Sequence, residues 1–290
     1  MILAAIRRGQ QKTVTSISEI ETGNFASPRW ILCPPSSVTV VSWNIDRGLK
    51  LQGIIEFLSR ARADVILLQE ADLNARRTHH LDIAREISQK LQLNYVFGRE
   101  FQELSQGTRA SPAFHGQATL SRWPLSNARI IRFQKQSNFW RPHWFIPEID
   151  PFQERLGGRM ALIVDASIAG KTIITYNLHL ESRGDDQVRE SQLAETLVDA
   201  RQYNAPTPVL LAGDFNLDAS AGNPAAAIRQ AQFQNAFTNH LATTPNTFLE
   251  DGRAIDWIFS RGPIRPDQPQ VHRSVTASDH YPLSITLHFV

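Results

Sequence analysis

The sequence predicts a mixed α/β domain with helices lying outside packed β-sheets. Short continuous apolar runs bounded by turn formers recur along the chain, as strands buried on both faces do. Stretches with helical spacing fall between some of them, without the strict alternation of a parallel βαβ fold. A β-branched run at 38–43 opens the series, and Leu51, Ile54, Ile55 and Leu58 give helical spacing over 49–62. A buried strand is expected at 65–68, a helix near 81–91 and a strand at 93–97. Further strands are expected at 117–121, 128–133, 160–166 and 172–180, then a helix at 187–203 and a strand at 209–212. A short helix near 224–231 and strands at 254–260, 271–275 and 283–289 complete the reading. Nothing resembles a short-period repeat.

Residues 1–37 mix polar and turn-forming types and read as an N-terminal extension, leaving 38–290 as one domain without an internal linker. The chain of 290 residues is 42% hydrophobic and 20% charged, the proportions of a globular protein able to bury a core. A net charge of +2 is too small to argue by itself for a nucleic-acid partner. The single cysteine, Cys33, excludes an internal disulfide framework and argues against a thiolate zinc site. No apolar run reaches the roughly 20 residues that span a bilayer. The short apolar start precedes its arginines, the reverse of a secretory signal, so a cytoplasmic protein is expected.

Function is written where the apolar strands end. The run 208–212 stops at Gly213-Asp214-Phe215-Asn216, and on an extended backbone Asp214 and Asn216 share a face. The other strand ends carry Asn44, Gln69-Glu70 and His179 followed by Glu181-Ser182. Asp256 sits inside an apolar strand, and Ser278-Asp279-His280 precedes the last one. Plainer readings exist for each: Asp214 and Asn216 as a self-satisfied turn, Glu70 paired with Arg76 or Arg77, His179 as a satisfied core histidine. Asp256 is harder to dismiss, because an unpaired buried carboxylate is costly, and His280 is its natural partner. Six such ends in one chain argue for one shared site. Glu70 and Asp279 are hard oxygen ligands suited to Mg²⁺ or Mn²⁺. An Asp256–His280 pair orients an imidazole and supports its charged form. Asn216, His179 and Asn44 offer donors to a phosphoryl group. No activated serine, threonine or cysteine stands out, so the economical chemistry is metal-assisted, in-line attack of water on a phosphorus ester.

In order, Trp43-Asn44-Ile45, Leu68-Gln69-Glu70, Gly116-Gln117-Ala118-Thr119-Leu120-Ser121-Arg122, Asn177-Leu178-His179-Leu180, Gly213-Asp214-Phe215-Asn216, Ile255-Asp256 and Ser278-Asp279-His280 resemble the endonuclease/exonuclease/phosphatase superfamily. That resemblance implies a deoxyribonuclease I-like fold: a four-layer α/β sandwich of two mixed β-sheets face to face, flanked by helices. It implies Glu70, Asp279 and Asn44 as the metal site, and Asn216, Asn44 and Ser182 as phosphate-binding residues. The catalytic group it implies is His280, Asp256, Asp214 and His179, with either His280 or Asp214 taking the proton. Trp43-Asn44-Ile45-Asp46 and His179-Leu180-Glu181-Ser182 are similar to segments of tyrosyl-DNA phosphodiesterase 2 (TDP2), although Phe215 stands where that subfamily has threonine. The implied substrate is a phosphodiester, with nucleic acid ahead of a lipid or inositol phosphate head group; a non-catalytic binding module of the same fold is the remaining alternative. Phe139, Trp140, Trp144, Phe145 and Phe152, among Lys135, Arg141 and His143, are expected to stack bases, to enter a lipid interface or to pack back on the domain.

Overall fold

A computed structural model describes residues 19–27, 35–142, 154–168, 170–204, 206–237, 241–246 and 251–290. Cys33 lies outside them, as do His143, Trp144, Phe145 and Phe152. In spatial order the first sheet contains β1 (Ile20–Asn24), β4 (Asn94–Glu103), β5 (Ala113–Ser121), β3 (Val65–Leu73), β2 (Ser37–Arg47), β14 (Leu283–Phe289) and β13 (Ile264–Val271). A short β7 (Arg155–Gly157) pairs with β4. The second sheet runs β11 (Gln234–Asn235), β12 (Asp256–Arg261), β10 (Val209–Asp214), β9 (Lys171–His179), β8 (Met160–Ile168) and β6 (Leu125–Arg132). The pairs β2–β3 and β9–β10 are parallel and the rest antiparallel, so both sheets are mixed.

Strand alternation divides the apolar residues into layers. Val38 and Val40 of β2, Val65 and Leu67 of β3, Leu210 and Ala212 of β10 and Ile285 of β14 meet between the sheets. The alternate residues Val41, Trp43, Ile45, Ile66 and Leu68 face α1 (Leu51–Ala61) and α2 (Ile83–Leu91). On the far side Tyr176, Leu178, Val209 and Leu211 pack under α3 (Asp186–Ala200) and α4 (Gly222–Gln230). The order helix, sheet, sheet, helix is the four-layer sandwich. Asp82 and Asp185 cap α2 and α3, accepting from the backbone N–H groups of Arg85 and Val188 at 3.0 and 3.1 Å. Among the described residues no helix is long and apolar enough to cross a membrane.

The structure departs from the sequence reading at three places. Residues 20–24, within the expected extension, form the edge strand β1 on β4. The strand expected at 271–275 is instead β13, which ends at Val271. Its Pro266 and Pro269 hid it; an edge strand tolerates the missing N–H donors. β7 and β11 are too short to leave a pattern.

Gly213, the last residue but one of β10, has φ +144°, and a Cβ there would sit 2.0 Å from the carbonyl oxygen of Leu178 on the parallel neighbour. The glycine lets β9 and β10 close up next to Asp214. Gly213→Ala is therefore expected to lower unfolding free energy by at least about 2 kcal/mol, read as a fall in the urea midpoint. An unchanged midpoint would contradict the packing described.

Candidate active site

The same alternation that sorts the core places polar side chains at one mouth of the sandwich. Asn44 continues the Val38 and Val40 face of β2, Asp214 continues that of Leu210 and Ala212, and Asp256 precedes Ile258 on β12. Glu70 breaks parity. A register shift between Leu68 and Ala71, with Glu70 at φ +56°, turns its carboxylate into the mouth. A second shift follows Asn44, where Asp46 and Arg47 also have positive φ.

These residues touch. Asn44 Nδ2 donates to Asp214 Oδ2 at 3.1 Å and lies 3.3 Å from Glu70 Oε1. His179 Nε2 is 3.7 Å from both Glu70 Oε1 and Asp214 Oδ2. His280 Nε2 is also 3.7 Å from Asp214 Oδ2, while its Nδ1 donates to Asp256 Oδ2 at 2.8 Å. Thr243 Oγ1 donates to the same Asp256 oxygen at 2.6 Å. Ser278 anchors the loop, donating to the Asn44 carbonyl at 2.7 Å, and Trp43 Nε1 donates to the His280 carbonyl at 2.8 Å. Burial works against charge on His280, but Asp256 and Asp214 lift it well above the usual histidine range. Burial likewise opposes ionisation of Glu70, yet the neighbouring His115 and His179 when protonated, together with Arg47, hold its carboxyl well below the usual carboxylate range.

Asn216, Ser182 and Asp279 sit differently from the expectation. Asn216 lies beyond β10 at φ +52°, its N–H donating to Asp214 Oδ1 at 2.9 Å and its Nδ2 to the Leu180 carbonyl at 3.2 Å. One Asp214 oxygen closes the turn while the other faces Asn44 and the two histidines. Ser182 Oγ accepts from Arg159 NH2 at 2.8 Å. Asp279 is exposed and accepts from Ser278 Oγ at 3.2 Å. Of the suggested partners of Glu70, Arg77 binds Asp72 and Glu103 instead; Arg47 lies 3.9 Å from Glu70.

Four residues join the site that the strand-end reading missed. Asp46 binds Arg47, and burial raises its carboxyl above the usual range, helped by Asp279 and then Glu70. An acid whose charge is disfavoured by burial and by the neighbouring Asp279 and Glu70 fits a site for a divalent metal with oxygen ligands. Glu100 lies 3.4 Å from His179 Nδ1 and 3.0 Å from Arg159 NH1; burial opposes its charge, but Arg159 and His179 bring it down to about 2. Arg159 is 2% exposed, and its NH1 lies 2.8 and 3.0 Å from the His179 ring nitrogens. A guanidinium directly after the Gly157-Gly158 pair and ahead of an apolar strand was the available signal. Glu100 sits past the expected end of β4, at a register shift between Arg99 and Phe101. His115 immediately precedes the Gly116 motif and lies buried, 4.0 Å from Glu70.

On the rim, Phe139 is 56% exposed and packs edge to face on Trp140 at 4.9 Å. Arg183 lies 5.3 Å from the Phe139 ring centre, and Ser137 N donates to Glu181, two residues past His179.

Residues 41–280 match the family model described as Endonuclease/Exonuclease/phosphatase family. No curated protein matches the sequence. Among solved structures, the endonuclease/exonuclease/phosphatase from Beutenbergia cavernae is 16% identical with a TM-score of 0.64, covering 88% of this chain and 72% of its own. Humanized D. rerio TDP2 is 18% identical with a TM-score of 0.60, covering 88% and 100%. D. rerio TDP2 complexed with single strand DNA product is 19% identical, with a TM-score of 0.57 and the same coverage. At these identities the likeness is one of fold. The family match spans most of the chain, on a sandwich that carries these side chains at its mouth, and the chain belongs to the endonuclease/exonuclease/phosphatase family.

Proposed function

We propose that this protein is a divalent-metal-dependent phosphodiesterase acting on nucleic acid, with water as the nucleophile. Members of the family are generally phosphoric ester hydrolases. The observation that carries the reading is Asp214 Oδ2, held among Asn44 Nδ2, His179 Nε2 and His280 Nε2 at 3.1, 3.7 and 3.7 Å. Glu70, with Asn44, Asp46 and Asp279 around it, would hold Mg²⁺ or Mn²⁺, which supplies Lewis-acid polarisation of the phosphoryl oxygens. Asp214 orients the attacking water and takes its proton. His280, raised by Asp256 and Asp214, is cationic at neutral pH and faces the charge that builds on the phosphoryl group. That division of labour chooses Asp214 over His280 as base, because an imidazolium has no lone pair to accept with. His179 is fixed by Glu100 and Arg159, and with Asn216 and Ser182 it lines the phosphate side.

The exposed Phe139 ring with Arg183 beside it favours a polymeric substrate over a small ester: an aromatic face and a guanidinium receive a base and its backbone. The TDP2 structure complexed with single strand DNA product supports a nucleic-acid substrate by fold analogy.

Three outcomes test the proposal. Glu70→Gln, or chelation of the wild type, should lower hydrolysis of a generic phosphodiester by at least about 10²-fold; activity indifferent to both sinks it. The rate should fall as pH rises through the elevated His280 pKa. Burial opposes that elevation and Asp256 is its main source, so Asp256→Asn should move the alkaline limb of kcat/KM to lower pH. A limb that stays in place argues against a cationic His280. Phe139→Ala should raise KM for a single-stranded oligonucleotide about tenfold while leaving a small chromogenic phosphodiester unaffected. Turnover of sphingomyelin or inositol phosphates, with oligonucleotides left intact, would transfer the assignment to lipid head groups.

A further inference from the structure

Behind Glu70, on the side away from Asn44, lies a histidine that the mechanism above does not use. His115 is 1% exposed, on the face of β5 turned toward the second sheet. Its Nδ1 donates to Asp72 Oδ1 at 3.0 Å. Asp72 is fully buried and fixed in turn by Arg77, whose Nε and NH2 donate to its two oxygens at 2.7 Å each. A carboxylate that takes the Nδ1 hydrogen leaves the lone pair of a neutral imidazole on Nε2. That Nε2 has no hydrogen-bond partner among the described residues, and it lies 4.0 Å from Glu70 Oε2.

Two lone-pair atoms facing each other at that distance, the imidazole one out of water, are a poor arrangement unless something positive lies between them. Two metal–ligand bonds of about 2.1 Å span such a gap, and a histidine whose other nitrogen donates to a carboxylate is the usual form of a metal-bound imidazole. Arg47 NH1 also approaches Glu70 Oε2, at 3.9 Å, but it is bonded to Asp46. His179 is the other imidazole at Glu70, and Arg159 NH1 lies 2.8 and 3.0 Å from its two ring nitrogens, one of which can accept from it. Among the described residues His115 Nε2 is the imidazole nitrogen beside Glu70 that has no hydrogen-bond partner.

We propose that His115 Nε2 is a ligand of the cation held by Glu70, oriented for that task by Asp72 and Arg77. The centre is then a mixed nitrogen and oxygen site that favours a first-row transition-metal dication over Mg²⁺, whose preferred ligands are oxygens. This rests on the reading that Glu70 holds a divalent metal.

The test is Mn²⁺ binding to the full chain, followed by electron paramagnetic resonance, with pulsed spectra read for nitrogen coupling. The wild type is expected to bind Mn²⁺ with a directly coordinated imidazole nitrogen. His115→Phe should abolish that coupling and weaken Mn²⁺ binding about ten- to a hundredfold, with a smaller change for Mg²⁺. His115→Gln keeps a donor for Asp72 and serves if the phenylalanine variant fails to fold. His179→Gln should retain the coupling, which identifies the nitrogen even if neither His115 variant folds. Mn²⁺ bound by the wild type without nitrogen coupling overturns the proposal and leaves the Glu70 metal intact. Coupling that survives in a folded His115 variant, or disappears in a folded His179→Gln, does the same. No Mn²⁺ binding at all overturns the metal-dependent reading itself.

Discussion

Asn177 reaches from β9 across the sandwich and donates to two carbonyls of the opposite sheet, those of Leu68 and Ala118, both at 3.0 Å. Its own carbonyl oxygen accepts from Gln69 Nε2 at 2.7 Å. Below this layer the apolar side chains of Val38, Val40, Val65, Leu67, Leu210 and Ala212 meet between the sheets; above it is the candidate site. An amide in such a position must satisfy its groups or cost several kcal/mol, about 2 to 7 by transfer measurements. It does so only at one relative placement of β3, β5 and β9. That placement fixes the distance between Glu70, one residue beyond Gln69, and His179, two residues beyond Asn177.

Charge is arranged with the same economy of alternatives. Arg159, Glu100 and His179 form one buried group, and Arg77, Asp72, Glu103 and His115 form another, with Glu70 between them. Buried ion pairs are weak contributors to net stability, since desolvation offsets most of their attraction. What these pairs provide is direction: each side chain that faces the mouth has a second group behind it that leaves one orientation open. Donors held in advance stabilise a developing charge without having to reorganise when it appears.

The sequence was most informative where one residue decides one position. A strand of alternating faces carries Asn44, Asp214 and Asp256 to the mouth by parity alone, and a buried aspartate demands a partner, so the Asp256–His280 pair could be anticipated. Parity fails at a bulge. Glu70 and Glu100 both lie at register shifts, and the turn of the backbone that aims them leaves no apolar pattern to read. Glu70 was legible because it lies two residues past the end of an apolar run; Glu100 lies three residues past the expected end of its strand and was missed. Arg159 and His115 act through residues far away in the chain, and such cross-strand partners are visible only once the strands are paired. The strand β1 escaped notice because an edge strand with one half-exposed face has little hydrophobic signal. The aromatic segment was the converse, conspicuous in composition, but only its start, around Phe139, is described.

The seam between β2 and β14 has a consequence in time. Trp43 and His280, joined by a hydrogen bond, stand 237 residues apart in the chain. Contacts so distant in sequence carry the largest loop-closure cost and form late in folding. A polypeptide still on the ribosome, with everything up to β12 already made, carries Asn44, Glu70, Asp214 and Asp256 but neither Asp279 nor His280, and the side of β2 that receives β14 is still unpaired. The His280 side of the mouth is thus set in the same event that pairs β14 with β2.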